Sequence, residues 1–244
     1  MKRSFAGKTD TGLVRSVNQD SYHIDPEGRF FIVADGMGGH AGGQEASRIA
    51  TQAIQSYLNE HWNSPQESSE LLEKAFLAAN QAILQDQQKH IERSDMGTTA
   101  VAVIFRQEGE PWFANIGDSR LYRFRGAELQ QITEDQTWVA QAVKRKALTP
   151  DQARSHPWRH VLSQCLGRED LGQIEISTMD VKPGDRLLLC SDGLTEELSD
   201  SLIASPLKSI RACEKAATAL VNAAKDKGGR DNITVVIVAI DMLK

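Results

Sequence analysis

Two apolar runs of this chain end in the same dipeptide. "FFIVADG" (Phe30 to Gly36) and "LLLCSDG" (Leu187 to Gly193) each read as a buried strand closing on Asp-Gly. "FANIGDSR" puts Asp118 at the end of a third strand, and "GGRDNITVVIV" puts Asp231 at the start of a fourth. Glycine beside an acid lets the backbone turn and be approached closely. A lone Asp at a strand end ordinarily ends the strand or caps a turn. Four such acids, each beside Gly or Asn or one residue from it, point instead to a shared site. Carboxylates that meet there repel, at a cost of about 4 kcal/mol per pair at about 4 Å and an effective dielectric of about 20. Hard divalent cations remove that cost, and oxygen-only ligands with water suit magnesium or manganese.

The loop after the first run is rich in glycine: Gly36, Gly38, Gly39, Gly42 and Gly43. Gly36 to Ala41 even fits G-x-G-x-x-A, the start of a dinucleotide site. Context excludes it, because a second helix follows where a strand and a ribose-binding acid are needed. The loop does not run into Gly-Lys-Ser/Thr, so it is no phosphate loop either.

Ala46, Ile49, Ala50, Ala53, Ile54, Tyr57 and Leu58 recur at helical spacing, and so do Leu72, Ala75, Phe76, Ala79 and Ile83. The polar link "NSPQESSE" joins them into a helix pair that covers one face of a sheet. "TTAVAVIF", "PWFANIG" and "SRLYRFR" then read as consecutive strands of one antiparallel meander. "EKAATALVNAAK" is a later helix, and "NITVVIVAI" a last strand. Strands in runs and helices in runs predict an α+β layered fold in a single domain over 1–244. The stretch from Glu134 to Gly167, polar, locally basic and partly helical, interrupts that order as a flap.

The balance of 33 acidic to 28 basic residues, a formal net charge of -5, argues against nucleic acid as a partner. Cys165, Cys190 and Cys213 form no C-x-x-C pair, and Cys190 reads as strand core. No apolar run reaches membrane-spanning length, and "MKRSFAGKTD" lacks a signal-peptide core, so the expected location is the cytoplasm.

Six stretches, "RSVNQDS", "VADGMGGHAGG", "MGTTAV", "NIGDSRLY", "LLCSDGLT" and "GGRDNITVVIV", occur in the order found in the metal-dependent serine/threonine protein phosphatases of type 2C. The sequence resembles that family over nearly its full length. It is similar in particular to the small cyanobacterial members that dephosphorylate the signal protein PII.

The resemblance implies an α/β/β/α sandwich of two antiparallel sheets flanked by helix pairs. It implies that Asp35 bridges two Mg²⁺ or Mn²⁺ ions, that the Gly36 carbonyl is a further ligand, and that Asp192 and Asp231 complete the first ion's shell. Asp20 would hold metal-bound water. A third ion would lie between Asp118 and Asp192. Arg15 would grip the substrate phosphate, and a water activated by two ions would attack it, which needs no protein nucleophile.

Where many eukaryotic members carry a proton-donating histidine, this chain has Met37, and His40 is the nearest candidate. At the start of the flap, where the family often has Asp-His, the chain reads Asp135-Gln136, and Gln136 is given no role. His160, among the flap's basic residues, is expected to select a phosphorylated protein substrate, PII being one candidate, acting on a monomeric enzyme. An inactive binding module would need a lost metal acid, and a nuclease would need a basic stripe.

Overall fold

A computed structural model describes residues 2–39, 42–106, 110–154 and 156–241. One sheet takes β1 (Arg3–Asp10), β11 (Ile233–Ile240), β10 (Arg186–Cys190), β7 (Arg120–Arg125) and β8 (Glu128–Gln131), in that spatial order. The other takes β2 (Asp20–Ile24), β3 (Phe30–Met37), β5 (Ala100–Ile104), β6 (Trp112–Ile116) and β9 (Glu175–Thr178), and the short β4 (Gly97–Thr98) pairs with the end of β3. Neighbouring strands are antiparallel throughout.

The apolar runs are continuous because both faces of these strands are covered. Alternate residues point to opposite sides of a strand. Phe31, Val33, Val101 and Val103 meet Leu187, Leu189, Val236 and Val238 between the sheets. Their neighbours Phe30, Ile32, Ala100 and Ala102 pack on helices α1 (Gly42–His61) and α2 (Ser68–Lys89). Leu188, Cys190, Val235 and Ile237 pack with buried residues of α6 (Asp200–Ser209) and α7 (Cys213–Lys227). The layers are therefore helix, sheet, sheet, helix, as expected.

The expected meander holds for β5 and β6 and fails at the next step. β6 and β7 lie in different sheets, so the chain crosses between layers at Gly117, Asp118 and Ser119. Gly117 makes the crossing with φ +99, its α-carbon facing the Thr99 side chain so closely that a Cβ would come within 2.6 Å. Gly7-Lys8-Thr9, the residue set of a phosphate loop, lies inside β1 and is paired with β11 throughout.

The flap carries α3 (Trp138–Lys144) and α4 (Pro150–Arg154). It is fastened at both ends. Thr137 bridges to Leu162, and Leu166 exchanges backbone bonds with Thr98 at 2.8 and 3.1 Å. Among the described residues, no helix is long and apolar enough to cross a membrane.

Candidate active site

The strand ends gather the acids. Asp20 opens β2 and stands in register with Asp35 on β3. Asp118 occupies the crossing between the sheets. Asp192 opens the one-turn helix α5 (Asp192–Thr195) directly after β10, and Asp231 precedes β11. Asp-Gly recurs because backbone presses on both glycines. A Cβ on Gly36 would lie 1.9 Å from the Gly43 carbonyl oxygen, and one on Gly193 would lie 2.0 Å from that of Asn232.

Hydroxyls and one amide fix the frame. The Asp35 amide donates to Thr99 Oγ1 at 3.0 Å, and Thr98 Oγ1 donates to the Asp35 carbonyl at 2.8 Å. Thr99 Oγ1 also bonds Ser119 Oγ at 2.7 Å, so the frames of Asp35 and Asp118 are joined. Ser191 Oγ donates to Asp20 Oδ2 at 2.7 Å and accepts from the Thr234 amide. Asn232 accepts the Gln19 amide at 2.7 Å and donates to the carbonyls of Thr11 and Val17. None of these supports was singled out in the sequence. Ser119, Ser191 and Asn232 each stand next to an acid in a quoted motif, whereas Thr98 and Thr99 lie in "MGTTAV", which contains none.

The carboxylates strain against one another. Burial, then the charges of Asp20, Asp192, Asp118 and Asp231, hold the Asp35 carboxyl well above the usual range. Asp118 is raised by burial and by Asp192 and Asp135, with Arg120 opposing. Asp192 is raised by burial and Asp231, while a hydrogen bond with Asp35 opposes. Burial pushes Asp20 to about 7 against the bonds from Thr234 and Ser191. These shifts belong to the acids without a cation among them.

Arg15 is half-exposed and donates from Nη2 to Asp231 Oδ2 at 2.7 Å. His160 meets Glu196 through Nδ1. With Asp192 they form a trio in which each side chain offers a ligand-type atom within 4.8 Å of the other two. The flap histidine thus faces the acids, and Val161 after it accepts the Trp138 amide at 2.8 Å but leaves its side chain 47% exposed. Apolar anchoring falls instead to buried Cys165 and Leu166. Glu196 was missed; its signal is its place one helical turn after Asp192. Burial and then Asp192 raise its carboxyl to about 7. His40 lies outside the described residues.

Gln136, given no role from sequence, has a structural one. Its Oε1 accepts the Gly117 amide at 3.0 Å, and its own amide donates to the Gly117 carbonyl at 2.9 Å. Asp135 beside it takes both arms of Arg120 at 2.8 and 2.6 Å. The root of the flap therefore holds the Gly117 backbone on one side of Asp118 and the Arg120 side chain on the other.

Do these residues fit a divalent cation? Asp20 Oδ1 is buried without a hydrogen-bond partner. Burial and then the charges of the surrounding aspartates raise the Asp35 carboxyl, and a cation among them relieves that repulsion. The aspartate set is all oxygen, suited to magnesium or manganese. It fits.

A family model described as Protein phosphatase 2C matches residues 14–232. The chain is 36% identical to the serine/threonine protein phosphatase PstP of Mycobacterium tuberculosis over 236 residues, 96% of this chain and 44% of that protein. It is 37% identical to the protein phosphatase PhpP of Streptococcus pneumoniae over 238 residues, 96% of each. A crystal structure of Mycobacterium tuberculosis PstP matches with a TM-score of 0.89 at 35% identity, covering 98% of this chain and 99% of that one. The PstP catalytic domain in complex with 2 manganese ions matches with a TM-score of 0.87 at 33% identity, over 98% and 99% of the two chains. The chain belongs to the protein phosphatase 2C family. It spans less than half the length of the Mycobacterium tuberculosis relative.

Proposed function

We propose that this chain is a divalent-metal-dependent phosphatase that hydrolyses phosphoserine and phosphothreonine esters in proteins. The observation that carries the reading is the convergence on Asp35 of the charges of Asp20, Asp118, Asp192 and Asp231, drawn from separate elements. Relatives named serine/threonine phosphatases support it, as does a related structure holding two manganese ions.

In this reading Asp35, the Gly36 carbonyl, Asp192 and Asp231 would hold two cations, and Asp118 with Asp192 would hold a third. Bound there, such cations would supply Lewis acidity, polarising the phosphoryl oxygens and lowering the pKa of water. The chain's own groups do the rest. Asp20 offers its unpartnered Oδ1 to orient the attacking water. Arg15 turns from Asp231 and takes two phosphoryl oxygens on its planar fork. His40 is the candidate for protonating the leaving oxygen. His160, on the flap, aligns a protein substrate.

The phosphorylated PII signal protein is the substrate that the sequence resemblance favours, met in the cytoplasm by a monomer. A first assay uses a phosphothreonine peptide, a phosphotyrosine peptide and an oligonucleotide, each with Mn²⁺ and after chelation. Phosphate release from the phosphothreonine peptide, with Mn²⁺ only, is expected. Release that survives chelation, or cleavage of the oligonucleotide alone, would overturn the proposal.

A further inference from the structure

Large apolar side chains stand exposed around Arg15. In the loop from β1 to β2, Leu13 is 63%, Val14 68% and Val17 40% exposed. This loop is firmly held. The Leu13 amide donates to the Gly229 carbonyl at 2.7 Å. Asn232, itself buried, ties Thr11 and Val17 at 2.9 and 3.0 Å and the Gln19 amide at 2.7 Å. Hydrogen bonds hold the loop backbone at Thr11, Leu13, Val17 and Gln19, while the side chains of Leu13, Val14 and Val17 stay exposed. Exposed apolar clusters of this kind mark contact surfaces.

The surroundings say what makes the contact. Arg15 lies within the cluster and reaches Asp231 at 2.7 Å. On the flap side of Asp231, exposed Arg159 and Val161 flank His160, which feels the charges of Asp231 and Arg230. Cationic groups at the acids, with apolar side chains beside them, complement an anionic residue that has apolar neighbours.

We propose that this face binds an extended protein segment whose phosphorylated residue is flanked by bulky apolar side chains, received by Leu13, Val14 and Val17. The inference rests on the phosphatase reading of the same site and adds a substrate class to it.

The test compares two phosphothreonine peptides that differ only in the residues beside the phosphothreonine, Leu and Phe in one and Ser and Gly in the other. p-Nitrophenyl phosphate serves as the common reference. The wild-type chain should show kcat/KM roughly tenfold higher for the apolar peptide, the order of discrimination one hydrophobic contact gives. Leu13→Ser and Val14→Ser should each bring the ratio of the two peptides towards one. Equal rates on both peptides, with p-nitrophenyl phosphate hydrolysed, would overturn this inference and leave the phosphatase reading standing. No hydrolysis of any of the three esters would sink that reading and this inference with it. A concentration-dependent dimer abolished by Val14→Ser would assign the cluster to a second copy of the chain and overturn the inference too.

Discussion

Gly36 is enclosed by backbone. A Cβ there would stand 1.9 Å from the Gly43 carbonyl oxygen, 2.5 Å from its carbon and 2.7 Å from the Gln19 carbonyl oxygen. None of these atoms is the end of a flexible side chain, so either β3 or the start of α1 must move. Gly36→Ala is expected to lower unfolding free energy by about 2 kcal/mol, within the usual range for overpacking. Urea unfolding reads it, and an unchanged midpoint would contradict the packing described. At this scale the sequence is informative about acids and poor about their supports. Asp-Gly at a strand end announces both a ligand-type group and a close approach. Thr99 and Ser191 carry no such mark, because their partners, Ser119 and Asp20, are decided by which strands become neighbours.

Among the elements, the sequence names every inner strand and passes over the edges. β3, β5, β6, β7, β10 and β11 read as apolar runs, whereas β1, β8, β2 and β9 border the sheets and were not recognised. These edge strands are half-solvated, and their residues are largely intermediate or exposed. The crossing at Asp118 was hidden for a related reason. A three-residue link looks like a hairpin turn unless the partner sheet is known. The flap was legible as an interruption, but its contact with the acids through His160 and Glu196 was not. His160→Ala is expected to slow hydrolysis of a phosphoprotein about tenfold, or ~1.4 kcal/mol of barrier, and to spare p-nitrophenyl phosphate. kcat/KM for both substrates decides. Equal losses on both would move His160 from substrate selection into the common chemistry.

Across the whole molecule, two sheets and two helix layers bring five carboxylates to one end of the sandwich, and that arrangement opposes itself. The unfolded chain releases these protons near pH 4, whereas the folded, metal-free chain holds that of Asp20 to about 7 and raises those of Asp35, Asp118 and Asp192. Between those pH values the folded form binds more protons than the unfolded one, so these groups lower stability as pH rises. A divalent cation competes with the same protons and stabilises the folded form by binding it alone.

The most direct measurement is the melting temperature of wild type and Asp35→Asn, metal-free and with Mn²⁺, from pH 5 to pH 8. For wild type, the gain on adding Mn²⁺ should grow with pH. Asp35→Asn should be more stable than wild type above pH 7 without metal, show little gain with Mn²⁺, and lose more than a hundredfold in phosphopeptide hydrolysis, about 3 kcal/mol. A wild-type protein that Mn²⁺ does not stabilise at any pH, or an Asp35→Asn variant that gains as much from Mn²⁺ as wild type does, would contradict a metal centre built on these aspartates.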